Sequence, residues 1–244
     1  LPLREGDMDY FRNIVLLAAI VGVIAGIGMT AAQQLTTVPL ILKAEVFEQA
    51  EEAKAPPAHT HESEAAAAHE HEHGGGWAPQ DGFERTAFTL AANVLTGIGF
   101  ALLLIAVSEL AGGILNWRQG VFWGLAAFAV FTLAPGLGLP PELPAMPAAE
   151  LGARQAWWVA TALSTTGGLA LLVYGRSVLA VIAGVALLVA PHIAGAPQPL
   201  SHDSPIPETL HHSFVVAVVM TTLAFFMLLG GLTGYFRRRL VGTA

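Results

Sequence analysis

Cysteine is absent from this chain of 244 residues. That excludes disulfides and thiolate metal sites together and leaves nitrogen and oxygen ligands for any metal. Lysine is nearly absent: Lys43 and Lys54 are the only two, and neither follows a glycine-rich loop, so there is no P-loop for ATP. An aspartate–lysine phosphorylation motif is missing as well. Charge of either sign is scarce, with 12% of residues charged and 54% hydrophobic, against a globular norm of about 25% charged. Lipid is therefore the expected solvent.

What the chain does have is long runs without charge, of the roughly 17 to 25 residues needed to cross a hydrocarbon core of about 30 Å. Six spans built on such runs are read, at 11–36, 86–111, 120–139, 155–174, 178–194 and 213–236, with Arg12 and Glu109 near the ends of the first two and the fifth being the shortest. The fold expected is an all-α integral membrane protein, a bundle of about six transmembrane helices. Residues 1–10 form an N-terminal segment and 237–244 a basic tail. The connections expected on one side are a His/Glu-rich loop at 37–85, a Pro-rich loop at 140–154 and a His/Pro loop at 195–212. The first apolar run exceeds the core of a secretory signal and no clean cleavage site follows it, so it reads as a retained anchor. Met8 would serve as a start, in which case residues 1–7 carry no structural information.

An even number of spans puts both termini on one side of the membrane. Arg4, Arg12, Arg118, Arg176 and Arg237 to Arg239 fall on that side, and Lys43, Lys54, Arg85 and Arg154 on the other. The positive-inside bias makes the first side cytoplasmic. Most carboxylates then lie outside, giving an anionic outer face that attracts cations.

The charged loop carries the chemistry. Ala50 to Gly76 is built from Ala, Glu, His and Pro and ends in three glycines, so it cannot bury a core and is expected to be disordered. Within it HEHEHGGGW (His69 to Trp77) formally contains the zinc-protease pattern H-E-x-x-H. Alternating His and Glu generate that pattern automatically, and Gly74 to Gly76 would end the required helix at once, so a protease is not expected. The topology instead places all nine histidines at the outer side: His59, His61, His69, His71, His73, His192, His202, His211 and His212. Neutral imidazole is the commonest metal ligand near pH 7. In an extended chain His69, His71 and His73 point one way, and in a helix His69 and His73 share a face, so either form offers two or three nitrogens to a divalent first-row metal. Which metal is not specified by the residues. The blander reading is a hydrophilic spacer that binds metal incidentally. His192, with His202, Asp203, His211 and His212 nearby in sequence or topology, is the candidate for a structured second site.

Polar groups inside the spans are costly and mark a candidate path. Gln33 and Gln34 with Thr36 and Thr37 lie near the outer end of the first span, Asn93 and Thr96 in the outer half of the second, Ser164 to Thr166 in the fourth, and Thr221 and Thr222 in the sixth. Interhelical hydrogen bonding explains the serines and threonines as readily. Glu109, near the inner end of the second span, reads as an exit ligand, a proton carrier or a headgroup-level side chain. Gly22/Gly26, Gly120/Gly124 and Gly230/Gly234 are G-x-x-x-G pairs, for which close helix packing is a sufficient reading. With no ATP site, transport would draw on a partner, a proton gradient or the membrane potential. The potential supplies about 2.3 kcal/mol per charge per 100 mV, so about 4.6 for a divalent ion.

The blocks AAQQLTTVPLILKAEVFE (31–48), WAPQDGFERTAFTLAANVLTGIGFALLL (77–104), GLAAFAVFTLAPGLGLPPELPAMPAAELGARQAWW (124–158) and APHIAGAPQP (190–199), together with the His/Glu loop, resemble the CbtA family of predicted cobalt transporter subunits over nearly the whole chain. The resemblance implies a bacterial inner-membrane protein of cobalt uptake, tied to cobalamin synthesis and working with a small single-span, histidine-bearing subunit (CbtB). The choice of Co²⁺ comes from the resemblance; the residues alone allow nickel or zinc equally. No resident cofactor and no enzymatic activity are expected. An accessory metal-binding membrane protein that conducts nothing is the alternative.

Overall fold

The computed structural model describes residues 5–54 and 79–241. His59, His61, His69, His71 and His73 lie outside the described residues. The described chain is an all-α membrane protein of seven helices with no strand among those residues. We number them α1 (Glu5–Leu35), α2 (Thr37–Lys54), α3 (Phe83–Glu109), α4 (Trp117–Gly138), α5 (Leu151–Tyr174), α6 (Val178–Ala194) and α7 (Glu208–Leu240). Five of them, α1, α3, α4, α5 and α7, are long and apolar enough to cross a membrane, and α6 is a shorter apolar helix of 17 residues.

The most closely packed pairs of helices run antiparallel, and glycine sets their approach. α1 packs on α3 and α7, α4 on α7, and α5 on α6. A β-carbon at Gly120 would strike the Gly230 carbonyl, and one at Gly124 the Phe226 carbonyl, so α4 and α7 touch backbone to backbone. At Gly26 a β-carbon would stand 2.6 Å from the Val94 Cα, which brings α1 equally close to α3. Gly168 and Gly184 do the same for α5 and α6. Lipid tails are as apolar as leucine, so helices gain little by hiding apolar surface from one another; close van der Waals contact takes that role. The main core lies where α1, α3, α4 and α7 meet, around Leu17, Val21, Ile105, Phe128, Phe226 and Leu229.

The pairing also fixes the ends. Trp157 near the start of α5 donates its indole N–H to the Pro191 carbonyl at the end of α6 (3.3 Å), so α6 runs alongside α5 for its length. The N-terminus of α1 and the C-terminus of α7 therefore share one end of the bundle. The opposite end carries α2, the connections 139–150 and 195–207, and the described histidines.

α2 occupies part of the stretch expected as loop. Its lysine and glutamates keep it out of the charge-free runs; in sequence Pro39 reads as a kink or break, with Leu40 to Gln49 able to continue as an amphipathic segment, and the helix extends past both ends of that segment. Pro39 stands in the first turn, where a missing N–H costs nothing because no intrahelical acceptor awaits it. The chain turns at Thr36 instead. Ala44, Leu40, Ile41 and Phe47 of α2 then join Leu143, Ile206 and Phe214 in a second small core that caps this end.

Glu150 caps α5, its carboxylate accepting from the Gly152 and Ala153 N–H groups at 2.7 and 2.6 Å. The Ala153 bond first, then the Gly152 bond, hold this carboxyl below its ordinary value. A lowered carboxyl stabilises the fold above the ordinary carboxylate range and loses that share as pH falls through its lowered value. Acid titration of thermal stability should accordingly show a small low-pH loss that Glu150→Gln removes, and superimposable wild-type and variant curves would refute it.

Candidate functional site

A cavity of about 210 Å³ lies between the middle of the bundle and the histidine-bearing end. Its oxygen-bearing lining is Asn93 and Thr96 from α3, Thr132 from α4 and Thr222 from α7; its apolar walls are Met29, Phe100, Phe131, Trp158, Phe225 and Phe226. The rings form one cluster, Phe100 with Phe131 at 5.1 Å and with Phe226 at 5.0 Å between centroids, and Phe131 stacked on Trp158 at 6.1 Å.

Pro135 shapes the α4 wall. It has no N–H to give, and its ring would clash with the carbonyl one turn back. The turn before it, Ala129–Leu133, is widened to a π-helix in which the Ala134 N–H reaches the Ala129 carbonyl. This widening sits where Phe131 and Thr132 face the cavity; such single π turns recur at functional sites.

Asn93 is held by a network whose polarity can be assigned. Thr30 donates its only hydroxyl proton to the Gly26 carbonyl (2.9 Å), so it must accept from Asn93, and the atom facing it at 2.9 Å is the amide nitrogen. The same nitrogen donates to Gln33 Oε1 at 2.6 Å. Both amide protons are thus committed, and Asn93 Oδ1 is left as an acceptor beside the cavity. Thr222 donates to the Val218 carbonyl (2.7 Å), which likewise leaves its lone pairs free to accept. Toward the capped end the polar contacts continue: Gln34 donates to Thr86 at 3.2 Å, and the hydroxyls of Thr36 and Thr221 lie 3.1 Å apart. Beyond them Arg85 bridges Glu45 (2.6 Å) and Asp81 (2.9 Å), and Arg154 pairs with Glu142 (2.9 Å).

The four described histidines share the capped end without converging. His192 meets Trp157 edge-on, ring centroids 6.0 Å apart. His211 Nε2 lies 3.1 Å from the Pro141 carbonyl, which can only accept, so Nε2 carries the proton between them. His202 and His212 are exposed. Among the described residues no three His, Asp or Glu side chains stand close enough to hold a metal ion. Of the sequence candidates, then, Gln33 and Asn93 are joined, Gln34 lies one hydrogen bond away from α3, and the histidines stand apart.

Glu109 is at the other end, sixteen residues along α3 from Asn93, about 24 Å by helical rise. It accepts from Arg237 Nη2 at 2.7 Å and Nε at 3.1 Å, while Arg237 Nη1 donates to the Ile114 carbonyl at 3.2 Å. The Arg237 side chain is 8% exposed and that of Glu109 30%. Gly113, at φ +79°, leaves room for this guanidinium, since a β-carbon there would meet Nη2 at 2.7 Å. The pair clamps the α3–α4 turn onto α7.

The sequence reading missed Thr132, the aromatic walls and Arg237 as the partner of Glu109. A threonine three residues before a proline in an uncharged run was the available signal for the first. None existed for the others.

A family model described as a probable cobalt transporter subunit (CbtA) matches residues 11–238. Comparison with curated proteins and with solved structures gives no match.

Proposed function

The chain belongs to the CbtA family of probable cobalt transporter subunits, and from that premise we propose that it is the multi-pass membrane subunit of a Co²⁺ uptake system supporting cobalamin synthesis. The histidine-rich segment gathers the ion outside, and the oxygen-lined cavity passes it inward. In this reading both termini are cytoplasmic, the membrane is the bacterial inner membrane, and a small histidine-bearing single-span subunit like CbtB completes the transporter.

One arrangement supports the reading: a cavity with four oxygen-bearing side chains set among aromatic walls lies beneath the end of the bundle that bears every described histidine. Neutral oxygens suit a path better than a trap. A carboxylate cage would hold a divalent ion tightly, whereas amide and hydroxyl oxygens replace part of its hydration and let it leave, as conduction demands. The arginines at the termini-bearing end, Arg12, Arg118, Arg176 and Arg237 to Arg239, support the orientation by the positive-inside bias.

Deleting residues 59–73 should abolish uptake at limiting cobalt and leave it intact at high cobalt, since a capture loop raises local concentration without forming the path. Uptake unchanged at every concentration would remove the capture role. Purified chain in liposomes, assayed for Co²⁺, Ni²⁺, Zn²⁺ and Cu²⁺ entry with and without the small partner, tests conduction itself. Entry of Co²⁺ is expected; failure under both conditions would favour an accessory metal-binding protein that assembles with a separate transporter.

A further inference from the structure

We propose that the cavity between the start of α4 and the end of α7 binds the phosphate headgroup of an anionic phospholipid. It measures about 350 Å³ and is lined by Asn116, Trp117, Gly234, Tyr235, Arg238 and Arg239. The three consecutive arginines divide by helical geometry. Arg237 turns inward to Glu109, and at about 100° per residue the next two turn away from it. Arg238 and Arg239 are exposed, and neither has a carboxylate partner among the described residues.

Aromatic side chains prepare the positive groups. Arg239 lies over the Tyr235 ring with its central carbon 4.4 Å from the centroid, and Arg118 over Trp117 at 5.5 Å. A guanidinium laid on a ring keeps its N–H edge outward, the edge that pairs with phosphate through two parallel hydrogen bonds. Trp117 opens a membrane-crossing helix and is 54% exposed, while Tyr235 is 44% exposed in the last turns of another. Amphipathic aromatics at such positions sit at headgroup depth. Basic pockets between helices at that depth, with their rims facing lipid, recognise anionic headgroups. This site is independent of the metal path, lying at the opposite end of the bundle from the described histidines.

The test is native mass spectrometry of the detergent-purified full chain titrated with phosphatidylglycerol, with phosphatidylcholine as the zwitterionic reference. One phosphatidylglycerol should be retained in preference to phosphatidylcholine, and Arg238→Gln/Arg239→Gln should weaken it about 30-fold, the share of two surface arginines. Arg176→Gln, at the same end but outside the cavity, should leave binding unchanged, and Arg238→Lys/Arg239→Lys should weaken it only in part. Equal retention of the two lipids would overturn the proposal, as would an equal loss with Arg176→Gln, which would mean diffuse surface charge. Displacement of the lipid by millimolar sodium phosphate would overturn it too, in favour of a soluble-anion site.

Discussion

Glu109→Ala will destabilise the folded chain by about 3 to 5 kcal/mol, the cost of stranding a buried charge whose partner has been removed. The charge stranded is that of Arg237, whose side chain is 8% exposed and would keep only the Ile114 carbonyl. Glu109→Leu/Arg237→Leu should recover most of the loss, because replacing both members with apolar side chains removes the desolvation cost along with the attraction. Unfolding of purified protein in micelles, by heat or by titrated SDS, measures both variants. The recovery is the diagnostic result: a double variant as unstable as the single would show that Glu109 acts through something other than Arg237. Cobalt flux through the double variant separates the clamp from the reading of Glu109 as an exit ligand or proton carrier. A clamp predicts flux restored with stability; a ligand predicts a stable protein that does not conduct.

Thr96→Val/Thr132→Val/Thr222→Val will cut Co²⁺ uptake by about 100-fold or more at limiting metal while the protein still inserts and folds. Valine nearly matches threonine in shape, so the aromatic walls stay where they are and only three oxygens leave the cavity. A polar partner lost in a buried setting costs about 1 to 3 kcal/mol, and each 1.4 kcal/mol or so is tenfold; two such losses at the middle of that range already reach the expected factor. Asn93→Leu should act in the same direction and also leave Gln33 Oε1 and Thr30 without their donor. Initial rates of metal entry in liposomes, normalised to reconstituted protein, give the comparison. A triple valine variant that transports normally would move the path away from this cavity.

The parts of this fold that the sequence made legible are those where solvent alone decides. An uncharged run such as the one in α3 can lie only in lipid, and the glycine pairs at Gly22/Gly26, Gly120/Gly124 and Gly230/Gly234 had a single economical use, which the backbone contacts match. Boundaries were harder, because a helix outlasts its apolar stretch: α7 begins at Glu208, before the polar His211 and His212, and α1 at Glu5. α2 was legible only in part, as an amphipathic continuation over Leu40 to Gln49, for a related reason. Its helix is held by a cap assembled from residues 139–150, 195–207 and the start of α7, and nothing within its own eighteen residues announces that surface.

The candidate site was half legible. Asn93 and Thr96 stood out as polar groups in an apolar run, and Thr222 beside Thr221 likewise. What could not be read was convergence. Glu109 and Arg237 are 128 positions apart, and Asn93 and Gln33 are 60 apart; a single sequence records which polar groups exist but not which meet. Thr132 reaches the cavity through a π turn set by a proline three residues later, a conformation that side-chain counting does not reveal.

The placement of α7 governs how the molecule can be made. It is the last of the described helices in chain order, yet it packs against α1, α2, α3 and α4. The α1–α3 and α5–α6 hairpins can pair as they emerge. α4, whose Gly120 and Gly124 meet the backbone of α7, must wait in the bilayer with that face covered by lipid or by the insertion machinery. Insertion of α7 is therefore the event that closes the bundle, and a nascent protein truncated ahead of Gly230 would hold every earlier described helix and still lack its keystone.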